Sequence, residues 1–288
     1  MIRAMTDLTE PYNAVRPPVL GTAGLRSMSR ISAATIDLRD GLLGWPQWFT
    51  LGNFEVRLRF RRTLLGPFWN TLSFGLLIAA IGFVYGRVLG EDARSYLPYL
   101  ALGLLVWSFI ASTLQEACVA LTDAAPVLKQ LYVPRSVFIY RTLWRNLLVL
   151  CFNGVAVAVV LAVFGSVSPL GALTAFAGLG LVTINLAWIV LLLALVSTRL
   201  RLVSRLVQTV LPIAMLATPV IWRPSSAGLL TLAQWNPAFW AIELIRSPLL
   251  GVPIRLPVYT IGIAVAAAGC AAALAVFSLA RPHVTYWL

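Results

Sequence analysis

Long apolar runs alternate with short charged segments along this chain. Six runs are long enough, or nearly long enough, to cross about 30 Å of hydrocarbon. They cover approximately residues 66–88, 96–120, 142–164, 170–197, 205–222 and 257–280. Because about 20 consecutive apolar residues are typical of a membrane-spanning helix, the pattern predicts an all-α membrane protein with six transmembrane helices.

The charges between the runs predict the orientation of these helices. The connections after the first and third runs carry no net basic excess, whereas those after the second and fourth runs are basic. The basic residues in them are Lys129, Arg135, Arg141, Arg145, Arg199, Arg201 and Arg205. Lysine and arginine concentrate in cytoplasmic loops, so we expect both termini and the basic connections on the cytoplasmic side.

A strongly basic segment lies directly before the first run. It contains Arg57, Arg59, Arg61 and Arg62. Arginine at the centre of a membrane helix costs about 2.5–3.5 kcal/mol. The abrupt change from arginines to apolar residues after Arg62 therefore marks a membrane surface. Alternating charge over residues 54–60 also fits a strand, but an isolated strand at a bilayer leaves backbone groups unpaired. We therefore predict an interface helix over residues 45–63, although charge alone also fits an ordinary positive-inside anchor.

The remaining N-terminal residues and the long last connection have different patterns. Residues 1–44 are mixed in character and predict a flexible cytoplasmic tail with a short helix near Ile31–Leu43, ahead of a transmembrane domain over 45–288. Residues 223–255 hold short apolar pieces separated by prolines, which predicts an external re-entrant pair of half-helices. An amphipathic loop on the outer surface is the alternative.

Residues within the last connection predict local contacts. Asn236 is placed to cap the second half-helix, with Pro237 at its first position. Glu243 and Arg246 lie three residues apart, so they can pair on one helix face.

The basic connection after the second run predicts a short exposed helix. Its residues Ala125–Tyr132 follow two capping candidates, Thr122 and Asp123, and Pro126 favours a helix start. Pro134 ends the segment because proline lacks an amide donor and restricts the residue before it. A short helix held at a cytoplasmic loop can transmit motion from a docked partner.

Composition agrees with a membrane protein. Hydrophobic residues make up 60% of the chain and charged residues 11%, against about 25% charged in soluble domains. The net charge of +12 would indicate nucleic acid in a soluble protein. Here the charges flank apolar runs, so anionic membrane lipids are the expected counter-charges and no nucleic acid is expected. Three cysteines inside apolar runs and one histidine predict neither a disulfide nor a metal site.

No motif for catalysis stands out. The chain has no GxxxxGK[ST] sequence, so it lacks the loop that binds ATP phosphates, and no catalytic residue is expected. Glu116 and Glu243 lie in or beside apolar stretches, where a carboxylate is a candidate proton site. Glu116 can instead pair with Arg141 or Arg145, the interpretation that we favour.

Five pieces of the chain occur in an order that resembles a known family. They are RRTLLGPFW (61–69), LPYLALGLLVW (97–107), LKQLYVPRSVFIYR (128–141), NPAFWAIELIRSPLLG (236–251) and VTYWL (284–288). This order resembles the permease subunits of ABC-2 type polysaccharide exporters, which export O-antigen, teichoic acid and galactan. The resemblance covers roughly Trp45 to Leu288 and not the first 44 residues.

The resemblance implies a bacterial cytoplasmic-membrane permease for a lipid-linked glycan. Two copies would pair as a homodimer with two copies of a separate ATPase, which would hold ATP and Mg²⁺, while this chain would hold no cofactor. The residues implied for ATPase coupling are Val127, Leu128, Lys129, Gln130, Leu131, Tyr132 and Arg135. Those implied for the interface helix and the substrate entrance are Arg57, Arg59, Arg61, Arg62, Gly66, Pro67 and Trp69.

The resemblance also implies an exit gate and a channel lined by aromatic rings. The gate residues are Asn236, Pro237, Glu243 and Arg246. The candidate channel aromatics are Tyr99, Trp107, Phe109 and Trp222, although aromatic belts at membrane interfaces are common. The alternatives are an ABC-2 exporter of a drug or small lipid, a proton-coupled transporter that uses Glu116 or Glu243, and a membrane-embedded enzyme.

Overall fold

The computed structural model describes residues 30–60, 66, 68–88, 90, 92–165, 168–224, 226–252 and 256–288, and their regular structure is entirely α-helical. The helices are α1 (Arg30–Leu43), α2 (Trp45–Phe60), α3 (Phe68–Val88), α4 (Ala93–Ala117), α5 (Ala120–Asp123), α6 (Ala125–Gln130), α7 (Ser136–Phe164), α8 (Pro169–Arg199), α9 (Leu202–Ala217), α10 (Ala227–Gln234), α11 (Pro237–Leu249), α12 (Leu256–Ala280) and α13 (Val284–Trp287). The predicted all-α class is confirmed.

Five of the described helices are long and apolar enough to cross a membrane, namely α3, α4, α7, α8 and α12. The predicted fifth span, 205–222, corresponds to the 16-residue helix α9, which is shorter than the roughly 20 residues that a bilayer requires. The helix ends at Ala217, and Thr218 has an extended backbone. Pro219 explains this end, because proline disfavours the helical conformation of the residue before it.

Helix α4 forms the centre of the bundle. Most of its length is buried, and it packs against α3, α7, α8, α9 and α11. Gly103 allows a close approach here, because an added Cβ would lie 2.9 Å from the Val220 carbonyl oxygen. The apolar sequence around Gly103 therefore packs inside the protein.

Helices α8 and α12 run side by side in the same direction. The Asn185 amide donates to the Gly262 carbonyl oxygen at 3.2 Å, and an added Cβ at Gly269 would collide with the Trp188 ring. Helix α11 runs antiparallel along the first part of α8, since Gly171 faces Pro248 and Gly178 faces Leu244. Seven helical residues rise about 10 Å, so α11 packs along the side of α8.

The two helices before the first span cover one end of the bundle. Helix α2 lies within the predicted interface segment and is helical, as preferred over the strand; Arg61 and Arg62 lie outside the described residues. Helix α1 matches the short helix predicted near Ile31–Leu43 and packs against α7 and α12. The flexible tail predicted for the residues before Arg30 also lies outside the described part of the chain.

The short helix α6 begins at the predicted residue but differs from its prediction in its cap and in its end. It covers Ala125–Gln130 with Ala124 as N-cap and no side-chain cap bond. Thr122 and Asp123 belong to α5, so the prediction that one of them caps α6 is wrong. Leu131 is already extended, and the helix therefore ends two residues before the predicted Tyr132.

Candidate functional site

An ion-pair network joins three helices at one end of the bundle, which we call the basic end. Arg145 on α7 lies 2.6 Å from Glu55 on α2 and 2.6 Å from Glu116 on α4. Arg141, one turn earlier on α7, lies 3.0 Å from the other oxygen of Glu55. Residues four apart share a helix face, so α7 presents both guanidinium groups to the two carboxylates.

The predicted pairing of Glu116 with a neighbouring arginine is confirmed. Besides Arg145, it accepts a hydrogen bond from the Asn146 amide, and Arg59 lies 3.8 Å from its second oxygen. Arg59 is largely exposed, so this last contact contributes little. Two arginines and two carboxylates thus compensate one another and tie α2 to α4 and α7.

Aromatic packing holds α2 in the same place. Trp48 contacts Tyr140 and Trp144, and the Phe49 ring lies tilted against Trp144 with 5.0 Å between the ring centres. Gly52 lies against the Trp144 ring, where an added Cβ would approach to 2.8 Å. Helix α2 therefore has a buried face, which includes Gly52 and Val56, and an exposed face, which includes Phe54 and Leu58.

A groove of about 520 Å³ lies beside this network, between α2, the α5–α6 segment and the start of α7. Its walls are mainly apolar, with one carboxylate and one guanidinium. The residues that line it are Pro46, Gln47, Thr50, Leu51, Asp123, Ala124, Val127, Val133, Val137, Phe138 and Arg141. The groove brings the predicted interface helix and the predicted coupling helix to one surface.

The residues predicted for coupling form an exposed edge next to this groove. Leu131 is 61% exposed and Tyr132 is 78% exposed, although both are large and apolar. Lys129 and Gln130 are also exposed, whereas Leu128 turns inward against the core. Large apolar side chains that face outward in a polar loop are typical of a contact surface for another protein.

A second buried charge at the basic end was not found from the sequence. Asp37 on α1 lies 3.0 Å from the Arg281 guanidinium and 3.9 Å from that of Arg135, and Ser136 donates its hydroxyl to the Asp37 backbone oxygen at 2.6 Å. Burial lowers the pKa of Arg135, while Asp37 raises it. Arginine remains charged in proteins, so Asp37 faces two cations.

A third cluster lies at the opposite end, where α11 meets α4. Arg246 is 1% exposed and pairs with Glu243, as the three-residue spacing predicts. Asn236 accepts a hydrogen bond from the Ala238 amide at 2.9 Å and caps α11, with Pro237 in the first turn. Both local predictions are confirmed, and the Asn236 amide also donates to Thr218 at 2.8 Å.

The same cluster satisfies the backbone where α9 ends. Arg246 donates to the Pro219 carbonyl oxygen at 2.8 Å and lies 3.8 Å from the centre of the Tyr99 ring. The Tyr99 hydroxyl donates to the carbonyl oxygens of Pro219 and Trp222, each at 3.1 Å. Non-helical backbone inside a membrane protein requires such partners. The non-helical segment that follows α9 is therefore held in place by side chains of α4 and α11.

The candidate channel aromatics lie in different environments. Tyr99, Trp107 and Phe109 are buried in the core of the chain, and Trp222 is half-buried. Their role in a channel rests on the resemblance alone. Of the entrance residues, Gly66 has a φ of 56°, which favours glycine, and Trp69 is exposed. Pro67 lies outside the described residues.

The helices and their charged ends define a multi-pass membrane protein. Residues 46–250, most of the chain, match the family described as ABC-2 type transporter. The chain belongs to this family of ABC transporter permeases, whose members work with an ATPase partner.

A relative from Klebsiella pneumoniae is called O-antigen export system permease protein RfbA. It is 25% identical over 85 residues, which are 30% of this chain and 33% of the relative. The chain thus spans about a third of the length of the curated relative that it matches.

Proposed function

We propose that this chain is the membrane subunit of an ABC exporter that moves a lipid-linked polysaccharide across the bacterial cytoplasmic membrane. The ordered motifs support this substrate class, as does the distant relationship to an O-antigen export permease. Two copies of the chain pair with each other and with two copies of an ATPase that binds ATP and Mg²⁺. In this proposal the chain itself catalyses no reaction.

The observation that carries this proposal is the exposed apolar edge of Leu131 and Tyr132 beside the groove at the basic end. In our proposal this edge inserts into the ATPase, and the basic end faces the cytoplasm with both termini. Anionic lipids surround the exposed arginines of α2. The chain thereby presents a docking surface made of α2 and α6.

Movement of the ATPase reaches the membrane through the ion-pair network. Arg145 connects α7 to α2 and α4 at once, and α7 follows α6 directly in the chain. Packed helices transmit displacement because their interfaces are close-packed. A pull on α6 therefore moves α2, α4 and α7 as one body and opens a path between two permease copies.

The exit of this path is closed by α10 and α11. We propose that these helices enter the outer leaflet as a re-entrant pair, because α11 packs along the side of α8 and neither helix reaches the length of a span. The contacts of Tyr99 and Arg246 to the end of α9 hold this pair in its closed position.

The docking role is tested by the double variant Leu131→Asp/Tyr132→Asp. Both side chains are exposed, so the permease should fold and insert normally, but charges in an apolar cleft without partners are costly. We expect the ATPase to be lost from the purified complex and glycan export to fail. The matched control is Leu42→Asp/Leu43→Asp, an apolar pair at the same end that is also more than half exposed; it should keep ATPase binding and glycan export. Normal ATPase binding by the first variant would contradict docking at α6.

A further inference from the structure

The first and last helices of the described chain, α1 and α13, lie close to the predicted coupling helix α6. Helix α1 packs against α7 and α12, and α13 packs against α6. Asp37 on α1 and Arg281 at the end of α12 both lie outside residues 46–250, which match the family. The contacts around α6 therefore include elements that the family match does not cover.

Asp37 is the point at which these elements join. Its carboxylate faces Arg281 at the end of α12 and Arg135 immediately before α7. The same carboxylate accepts a hydrogen bond from the Ser136 amide at 3.2 Å. An unpaired charge in the interior is costly, so a side chain that is 3% exposed is fixed by these three partners.

Close backbone packing makes this junction rigid. An added Cβ at Gly41 would collide with the Ser136 hydroxyl, so α1 rests directly on the first turn of α7. In α13, which contacts α6, Val284 is fully buried and Trp287 packs on the same core as Leu128. Only four residues, 131–134, separate α6 from Arg135, the first residue of the connection that Asp37 holds.

We propose that Asp37 is a positioning residue for energy coupling. It holds α1 and the end of α12 against the start of α7, and thereby sets the position in which α6 meets the ATPase. Without its carboxylate, Arg135 and Arg281 would repel each other at the base of the connection that carries α6. The inference rests on the proposed docking role of α6, and its test separates the two.

The test measures the position of α6 directly in the variant Asp37→Asn. Nitroxide labels are placed on Lys129→Cys in α6 and Val163→Cys at the far end of α7, with Cys118, Cys151 and Cys270 replaced by alanine. Pulsed electron spin resonance on the purified permease gives the distribution of distances between the labels. We expect a narrow distribution in the parent and a clearly broader one in Asp37→Asn. The control is Asp40→Asn, an exposed carboxylate on the same helix, which should leave the distribution narrow.

A second measurement follows the same variants in the purified complex with the ATPase. Allosteric coupling is typically worth about 5- to 150-fold, so we expect Asp37→Asn to lower export per ATP hydrolysed by about fivefold or more. Should Asp37→Asn fold poorly, Arg281→Gln removes one partner from the more accessible side of the same junction and should broaden the distribution as well.

The outcomes separate the two proposals. An unchanged, narrow distribution in both Asp37→Asn and Arg281→Gln would overturn the positioning role. A broader distribution with unchanged export per ATP would support the positioning of α6 and overturn its role as the coupling helix. A loss of thermal stability with α6 still in place would identify Asp37 as a structural residue only and would also overturn the inference.

Discussion

At the scale of residues, the buried charges in the described part of the chain are paired. Glu116 and Glu243, the two carboxylates considered as proton sites, each bind an arginine in the structure. A carboxylate bound to a guanidinium makes a charge-assisted contact between side chains, and both carboxylates are engaged in this way. The pairing therefore supports an energy source outside this chain.

The first prediction concerns the variant Glu116→Gln. The change leaves Arg145 with one carboxylate partner and removes a charged acceptor from Asn146. Loss of such a contact at a partly exposed site should lower the free energy of unfolding by about 1–3 kcal/mol. Chemical or thermal unfolding of the purified permease in detergent measures this value.

The exposed carboxylate of Asp40 on α1, at the same end of the bundle, provides the control. Asp40→Asn should leave stability unchanged within about 0.5 kcal/mol. Equal stability of the parent and of Glu116→Gln would show that the network at the basic end does not hold α2, α4 and α7 together.

Residue spacing predicted some of these pairs and missed others. Glu243 and Arg246 lie on one helix, so their three-residue separation was sufficient. Asp37 pairs with residues about 100 and 244 positions away, and no local pattern marks such a partner. Its segment also lacks a long apolar run, and the sequence therefore gave no sign that α1 is packed rather than mobile.

At the scale of elements, the sequence predicted where helices lie better than where they end. The lengths of the apolar runs predicted the positions of the five long helices and of the short helix α9. The end of α9 depends on Pro219 and on side chains from α4 and α11, which are distant in sequence. Likewise, the start of α6 at Ala125 was predicted correctly, but its cap was not, because the two candidate cap residues belong to a separate turn of helix, α5.

The second prediction concerns the cap of α11. Asn236→Ala removes both the acceptor for the Ala238 amide and the donor to Thr218. Loss of an N-cap costs about 1 kcal/mol, and the additional contact joins α11 to the end of α9. We expect a looser exit gate and an increased leak of small ions through the resting protein, measured in proteoliposomes.

The variant Asn236→Asp separates the two contacts. Aspartate keeps the cap acceptor but cannot donate a hydrogen bond when ionised, so it should restore helix stability while leaving part of the leak. A leak equal to that of the parent in both variants would contradict a gate at this position.

At the scale of the whole molecule, the account requires that the two ends of the bundle face opposite compartments. Arg59 lies at the basic end, and Trp235, 84% exposed, lies between α10 and α11. We predict that a single cysteine at Arg59 reacts with a membrane-impermeant thiol reagent only after cells are opened. A single cysteine at Trp235 should react in intact cells.

This pair of sites serves as its own control, because both positions are exposed and differ in the side that they face. Labelling of the Arg59 position in intact cells would show that the basic end faces outward, which would contradict the predicted topology. Labelling of both positions in intact cells would exclude a bundle that separates the two ends by a membrane.

The substrate class is the central claim, and cells depleted of this chain test it most directly. The measurement follows lipid-linked polysaccharide with a membrane-impermeant glycan-binding probe, in intact and in opened cells. We predict that depletion leaves the polysaccharide detectable only after the cells are opened, and that the parent chain restores surface exposure whereas Leu131→Asp/Tyr132→Asp does not. Normal surface polysaccharide in depleted cells, together with lost efflux of a small lipophilic compound, would contradict the account and identify a small-molecule exporter.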